Sequence, residues 1–215
     1  MVNLSGFLKL EETESQINKK ILEALLPEVD KYLNKLFNKV SIQIKDTIIE
    51  AIKKAPEYSS LLYGQLKAEF GLPDSDTRVN SIINFWQDIS VEYKNTKISR
   101  NALSGGFKIS MIKRDFSDVL GSSDATFITE KGDALNWLEW LLLFGNKTII
   151  KEYNIELGPN PRSRTGMAIM KGAVAGKWSV PSTYSGTINN NWITRSIDSV
   201  DSTINSILSK ALKDT

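Results

Sequence analysis

Residues 133–157, DALNWLEWLLLFGNKTIIKEYNIEL, change period partway along. In 133–144, Trp137, Leu138, Leu141 and Leu142 fall on one side of a helix, the three- and four-residue spacing of an apolar face. Residues 148–157 instead carry β-branched and aromatic side chains in alternation with charged and polar ones, the pattern of a strand. A helix set between strands, with more helices on either side, already excludes a regular β-α alternation.

Toward the N-terminus, residues 12–54 read as helix. Ile17, Ile21, Ala24 and Leu25 repeat at helical spacing until Pro27, which is better tolerated as the first position of a new helix than inside one. From Glu28 the stripe resumes through Val29, Tyr32, Leu33, Leu36, Phe37, Val40, Ile44 and Ile48, and Pro56 marks its end. A helix of about 27 residues is about 40 Å long, so it is expected to kink or to lay part of its apolar face on another subunit. A second helix is expected over 59–70, stopped by Gly71-Leu72-Pro73. Asp74, Ser75 and Asp76 offer caps for a third over 77–88.

Segments 90–93, 107–112 and 125–129 read as strands, and the tail after Asn191, with Ile193, Ile197, Val200, Ile204, Ile207 and Leu208, as helix. The order predicts an α+β fold: long N-terminal helices, a small mixed or antiparallel sheet with an inserted helix, and a C-terminal helix. The expected organisation is an N-terminal helical arm, 1–56, and an α+β core, 57–215, that includes a basic C-terminal loop region.

The chain has 215 residues, 41% of them hydrophobic, and neither cysteine nor histidine. That composition can build a core. It rules out disulfides, Cys/His zinc sites and nucleophilic triads that need a histidine base. No paired-acid motif stands out, and no cofactor is expected. The first residues, MVNLSGFLKLEETESQ, lack the basic and apolar regions of a signal peptide. The longest apolar run, 140–144, has five residues, against the roughly 20 a membrane helix needs. A soluble, intracellular chain without membrane contact is expected.

Charge is unevenly spread. Residues 1–57 carry nine basic and nine acidic side chains, 58–157 eleven and thirteen, and 158–215 seven and three. Within 158–197 there are five basic residues, Arg162, Arg164, Lys171, Lys177 and Arg195, and no acid. Such a stretch suits an anionic or hydrogen-bonding neighbour better than catalysis. Arg162 and Arg164 follow Gly158-Pro159-Asn160-Pro161, an ordered but irregular loop. They either reach carboxylates or phosphates on a partner or close an internal ion pair. Residues 172–177, GAVAGK, approach a phosphate loop, but the spacing is one short and Trp178 replaces the magnesium-binding Ser or Thr. Ser104-Gly105-Gly106 reads as a turn. Trp178 and Tyr184 are aromatic interface candidates, with core filling as their commoner use. Trp137, Trp140 and Trp192 read as core. The basic residues are too sparse to read DNA sequence, yet they can favour passing DNA electrostatically.

Two islands carry a family resemblance. One is YSSLLYGQLKAEFGL, 58–72, a short helix closing on an acidic-Phe-Gly step. The other runs from Arg164-Thr165-Gly166 through Trp178-Ser-Val-Pro181 and Tyr184-Ser-Gly186-Thr187 to Asn191-Trp192-Ile193-Thr194-Arg195. Together they resemble the neck, head–tail connector and tail-completion proteins of tailed bacteriophages, the virion-morphogenesis family. In that pattern an Arg-Thr/Ser-Gly turn precedes a strand and a closing helix. The resemblance implies a non-enzymatic virion protein, assembled in the host cytoplasm into a homo-oligomeric ring around the DNA channel. Its partners would be further copies, a portal or adaptor protein, a tail-tube or tail-terminator protein, and DNA passing non-specifically. Arg162, Arg164, Lys171 and Lys177 would serve at subunit or portal contacts or on the channel wall. A tail terminator capping the tube is the nearest alternative, and a carboxylate-based phage hydrolase the alternative of another class.

Overall fold

The computed structural model describes residues 12–89, 91–109 and 116–213. The expected strands 90–93 and 107–112 therefore fall partly outside the described residues, at 90 and 110–112. Among the described residues the fold is α+β, with helices toward both ends of the chain and three separate two-stranded ladders rather than one sheet.

Helix α1, Glu14–Lys54, is 41 residues long and contains Pro27. The expected restart at Pro27 does not occur. Pro27 is exposed, and the helix carbonyl it leaves without a donor can be met by water. The expected helix 59–70 is two helices, α2 (Pro56–Tyr63) and α3 (Gln65–Phe70), broken at Gly64. The Ser60 Oγ accepts from the Leu66 N–H at 3.0 Å, and a Cβ on Gly64 would lie 2.9 Å from Ser60 Cα. A glycine is thus what lets the chain fold back on itself there. Helix α4 follows at Ser75–Ile89.

The chain groups into two compact units, Met1–Lys39 with Glu92–Lys108, and Val40–Val91 with Ile109–Thr215. This differs from a boundary at 56/57, because a hairpin from mid-chain packs against the first half of α1. Its strands are β1 (Val91–Ser99) and β2 (Ala102–Ile109). Arg100 and Asn101, at φ 48° and 57°, make the turn, the two-residue form that matches strand twist. Ser104-Gly105-Gly106 is strand, not turn: a Cβ on Gly105 would come 2.4 Å from Thr96 Cα, so the glycine permits close strand approach.

Asp30 clamps this hairpin to α1. Its Oδ1 accepts from the Tyr93 hydroxyl at 2.7 Å and from the Thr96 N–H at 2.5 Å, and the Tyr93 and Phe37 rings stand 5.6 Å apart. The Thr96 backbone bond and the Tyr93 bond hold the Asp30 carboxyl below its ordinary value of 3.8. Burial and the Asp30 carboxylate raise the Tyr93 phenol. A carboxyl depressed in the folded state contributes stability above its unfolded value and loses it as pH falls through the folded one. Protection of the Thr96 amide, its exchange rate relative to that of an unstructured chain at the same pH, is therefore expected to hold down to about pH 4 and to fall below it. In Asp30→Asn that acid step should be absent; an unchanged step would assign it to another group.

In the second unit, Val40, Ile44, Ile48 and Ile52 of α1 are buried together with Leu61, Leu66, Val79, Ile82 and Ile83. Each such side chain contributes about 1.5–3 kcal/mol on burial. A short helix α5 (Ser117–Leu120) and a 3-10 turn at Ser123–Ala125 precede β3 (Phe127–Ile128) and β4 (Ala134–Leu135). Of the expected strand 125–129 only the two β3 residues pair, Phe127 with Leu135 and Ile128 with Ala134. The inserted helix α6 is Trp137–Leu143, with Trp137, Leu138, Leu141 and Leu142 fully buried as their spacing implies.

Strands β5 (Ile150–Leu157) and β6 (Ala168–Trp178) form the longest ladder. The tail divides into α7 (Trp192–Asp198) and α8 (Asp201–Lys213). Asn191 caps α7, accepting from the Ile193 and Thr194 N–H groups at 3.1 Å while its own N–H donates to Thr194 Oγ1 at 2.8 Å. Among the described residues no helix is long and apolar enough to cross a membrane.

Candidate functional site

The two arginines of the Pro/Gly loop lie where β5 turns into β6. The loop, 158–166, is braced from within. The Gly158 N–H donates to Met167 O at 2.8 Å, the Asn160 N–H to Gly166 O at 3.2 Å, and the Arg162 N–H to Asn160 Oδ1 at 2.9 Å. Ser163 Oγ accepts from the Thr165 and Ala168 N–H groups. These bonds give the loop a defined shape without regular structure.

Arg164 is held from two sides, by Phe127 and by Gly71. Its guanidinium carbon lies 5.6 Å from the Phe127 ring centroid, and Arg78 lies 5.3 Å from the same ring, both within cation–π range. Its end group packs against Gly71, the C-cap of α3 at φ 58°. A Cβ there would sit 2.7 Å from Arg164 Nη2, so glycine serves both the left-handed turn and the close approach. Burial pulls the Arg164 pKa down, and the Glu130 carboxylate acts against that. Among the described residues Arg164 has no hydrogen-bond acceptor and no carboxylate at ion-pair distance. Arg78, by contrast, has Asp124 at 3.8 Å and the Thr126 carbonyl at 3.4 Å.

Arg162 and Arg164 line a cavity of about 560 Å³ with Glu69, Glu130, Ile155 and Met170 among its other walls. Glu69 is already engaged, accepting from Gln65 Nε2 at 2.5 Å and from Trp178 Nε1 at 2.8 Å.

The other candidates are dispersed. Lys171 is exposed and pairs with Glu156 at 2.5 Å, a surface contact worth about 0–1 kcal/mol. Lys177 is exposed and stands directly opposite Lys151 across the ladder, a like-charge pairing that costs stability. Trp178 is buried, edge-on to Phe70 at 5.7 Å and to Trp140 at 6.1 Å, so its ring fills core. Tyr184 is half-buried in a turn, its N–H donating to Pro181 O at 2.9 Å. Arg195 closes an internal pair with Glu57 at 2.6 Å and also reaches Asn190 Oδ1 at 2.8 Å.

The GAVAGK segment is strand β6 with a bulge. Pairing shifts between Lys151 and Tyr153, Glu152 takes φ 64°, and a Cβ on Gly176 would lie 2.6 Å from the Tyr153 carbonyl. The slack thrusts Val174 outward, and its side chain is fully exposed. Sequence reading missed Phe127, Gly71 and Val174. The first two meet Arg164 only across long stretches of chain, while Gly172 and Gly176 flanking three small residues were a usable sign of a bulge.

Compared with protein-family models, with curated proteins and with solved structures, the chain matches none of them.

Proposed function

We propose that this chain is a structural, non-catalytic component of a tailed-phage virion. Copies of it form a ring at the neck, between the portal or adaptor and the tail-tube or terminator protein, around the channel that DNA crosses. The observation that carries this reading is the β5–β6 hairpin. Among the described residues its two strands pair only with each other, so each has an outer edge without a ladder partner there, a ready template for another chain. It also exposes Tyr153, Leu157, Met170 and Val174. Apolar side chains on an open-edged hairpin favour association with protein.

A ring needs two different complementary surfaces, because only a heterologous contact repeats around an axis until it closes. The bulged hairpin supplies one, and the Arg162–Arg164 loop stands at its other end. The order of elements supports the resemblance as well. The Arg-Thr-Gly loop is followed by strand β6 and then by the closing helices α7 and α8, and α3 ends on Glu69-Phe70-Gly71.

Light scattering across a concentration series, with micrographs of the large species, tests the reading. Closed rings are expected, formed alone or after addition of portal–tail complexes. Val174→Asp should shift the distribution to monomer while leaving thermal unfolding within about 0.5 kcal/mol of wild type, as an exposed substitution does. A monomer that neither self-assembles nor binds those complexes would reject the neck assignment.

A further inference from the structure

The cavity beside loop 158–166 contains an arginine positioned as if for a ligand. We propose that this cavity binds a carboxylate, received by the guanidinium of Arg164, with Arg162 at the rim. The inference does not depend on ring formation.

Three observations converge on it. The first is fixation: Phe127 and Gly71 hold the Arg164 end group by stacking and close packing. A guanidinium so held loses little freedom when it forms further bonds. The second is vacancy of its donors. An arginine offers five N–H donors, and among the described residues none of those on Arg164 finds an acceptor. The two other arginines in comparable settings, Arg78 and Arg195, both have carboxylate partners. Arg164 is itself exposed, so its donors face solvent and are open to an incoming acceptor. The third is space. The cavity's volume of about 560 Å³ falls in the usual range for ligand sites, about 300–1,000 Å³.

The walls choose the ligand. Ile155, Ala168 and Met170 give an apolar side, while Ser163 and Thr129 add hydroxyls. Glu69, Glu130 and Asp133 line the same space and are balanced by Lys131 and the two arginines, so the site suits a single negative charge better than a phosphate, which carries roughly −1.5 to −2 at neutral pH. Two parallel N–H···O bonds from a planar fork suit a carboxylate. The acid could be a small molecule with a short apolar stem, or a Glu or Asp side chain presented by a protein.

The test uses the full-length protein labelled with nitrogen-15. Propionate, inorganic phosphate and a capped Ala-Glu-Ala tripeptide are titrated separately, following the Arg164 Nε–H resonance, assigned by its loss in Arg164→Lys, and the Gly71 and Ser163 amides. Saturable shifts with propionate or the tripeptide are expected, weakened at least ~10-fold in Arg164→Lys, which keeps the charge but loses the fork. Lys177→Gln, at an exposed cation outside the cavity lining, should keep the Gly71 and Ser163 shifts within about a few-fold of wild-type affinity. Tighter binding of the tripeptide than of propionate would mark a protein source, and the reverse a small acid. The proposal is overturned if neither carboxylate shifts the wild-type resonances saturably, if Arg164→Lys binds as well as wild type, or if phosphate binds more tightly than both. Because the readout is binding by the unassembled chain, it can fail while rings form, or succeed when none do.

Discussion

Trp192→Ala is expected to lower the stability of the second unit by about 3–5 kcal/mol, the cost of emptying a large aromatic site in a packed core. Trp192 is fully buried and stacks edge-on to Trp86 with ring centroids 6.0 Å apart. Its Nε1–H donates to the Ile52 carbonyl at 3.1 Å, 140 residues away in sequence. The substitution therefore removes a packing volume, an aromatic pair and the link between α7 and the end of α1. Against a total of about 5–15 kcal/mol for an ordinary domain, such a loss is a large part of the whole. Thermal unfolding followed by circular dichroism should move down by about 10 °C, taking about 2–4 °C per kcal/mol for a chain of this size. Trp192→Phe, which keeps most of the ring contact and forfeits the hydrogen bond, should lose much less. Equal losses in the two variants would mean that the hydrogen bond, not the packing, dominates.

Removing Arg195 should cost about 3 kcal/mol, the lower end of what breaking a buried ion pair costs, because Arg195 itself remains 39% exposed. The asymmetry of the pair gives the reason. Glu57 is only 2% exposed, and without Arg195 its carboxylate is left in the interior with no cation at 2.6 Å. Arg195→Ala alone leaves that charge stranded. Adding Glu57→Gln to it should recover stability, since the charge that needed a partner is gone. A double variant no more stable than Arg195→Ala, measured by urea unfolding, would show that Arg195 acts through its bond to Asn190 or through packing. The pair also weighs on function. With its guanidinium committed inward, Arg195 is a poor donor to another subunit, whereas Arg164 keeps its donors available.

Much of the fold was legible because period and punctuation are local properties. The α1 stripe from Val29 to Ile48, the buried face of α6, the Gly71 stop and the Asn191 start each follow from spacing or capping within a few residues. Where the fold departs from local expectation, the reason is also physical. At Pro27 a continuous apolar stripe and an exposed position override the residue's helix-breaking propensity. At Gly105 the local sequence suggests a turn, because a glycine's need for room is the same whether a strand crosses it or the chain bends. The bulge at Gly176 escaped because it is defined by register with β5, a relation between two strands.

What the sequence by itself determined was the class of structure, the excess of positive charge after residue 158 and the exclusion of cysteine and histidine chemistry. Each of these depends only on which residues are present and how far apart they stand. What the tertiary structure alone decided was the fate of each charge. Arg195 found Glu57 across the chain, Lys171 found Glu156 across a ladder, and Arg164 was set on Phe127 and Gly71 with no carboxylate at ion-pair distance among the described residues. Charge pairing is a contact property that falls off over a few ångströms, and residues distant in sequence come within that range only when the chain has folded.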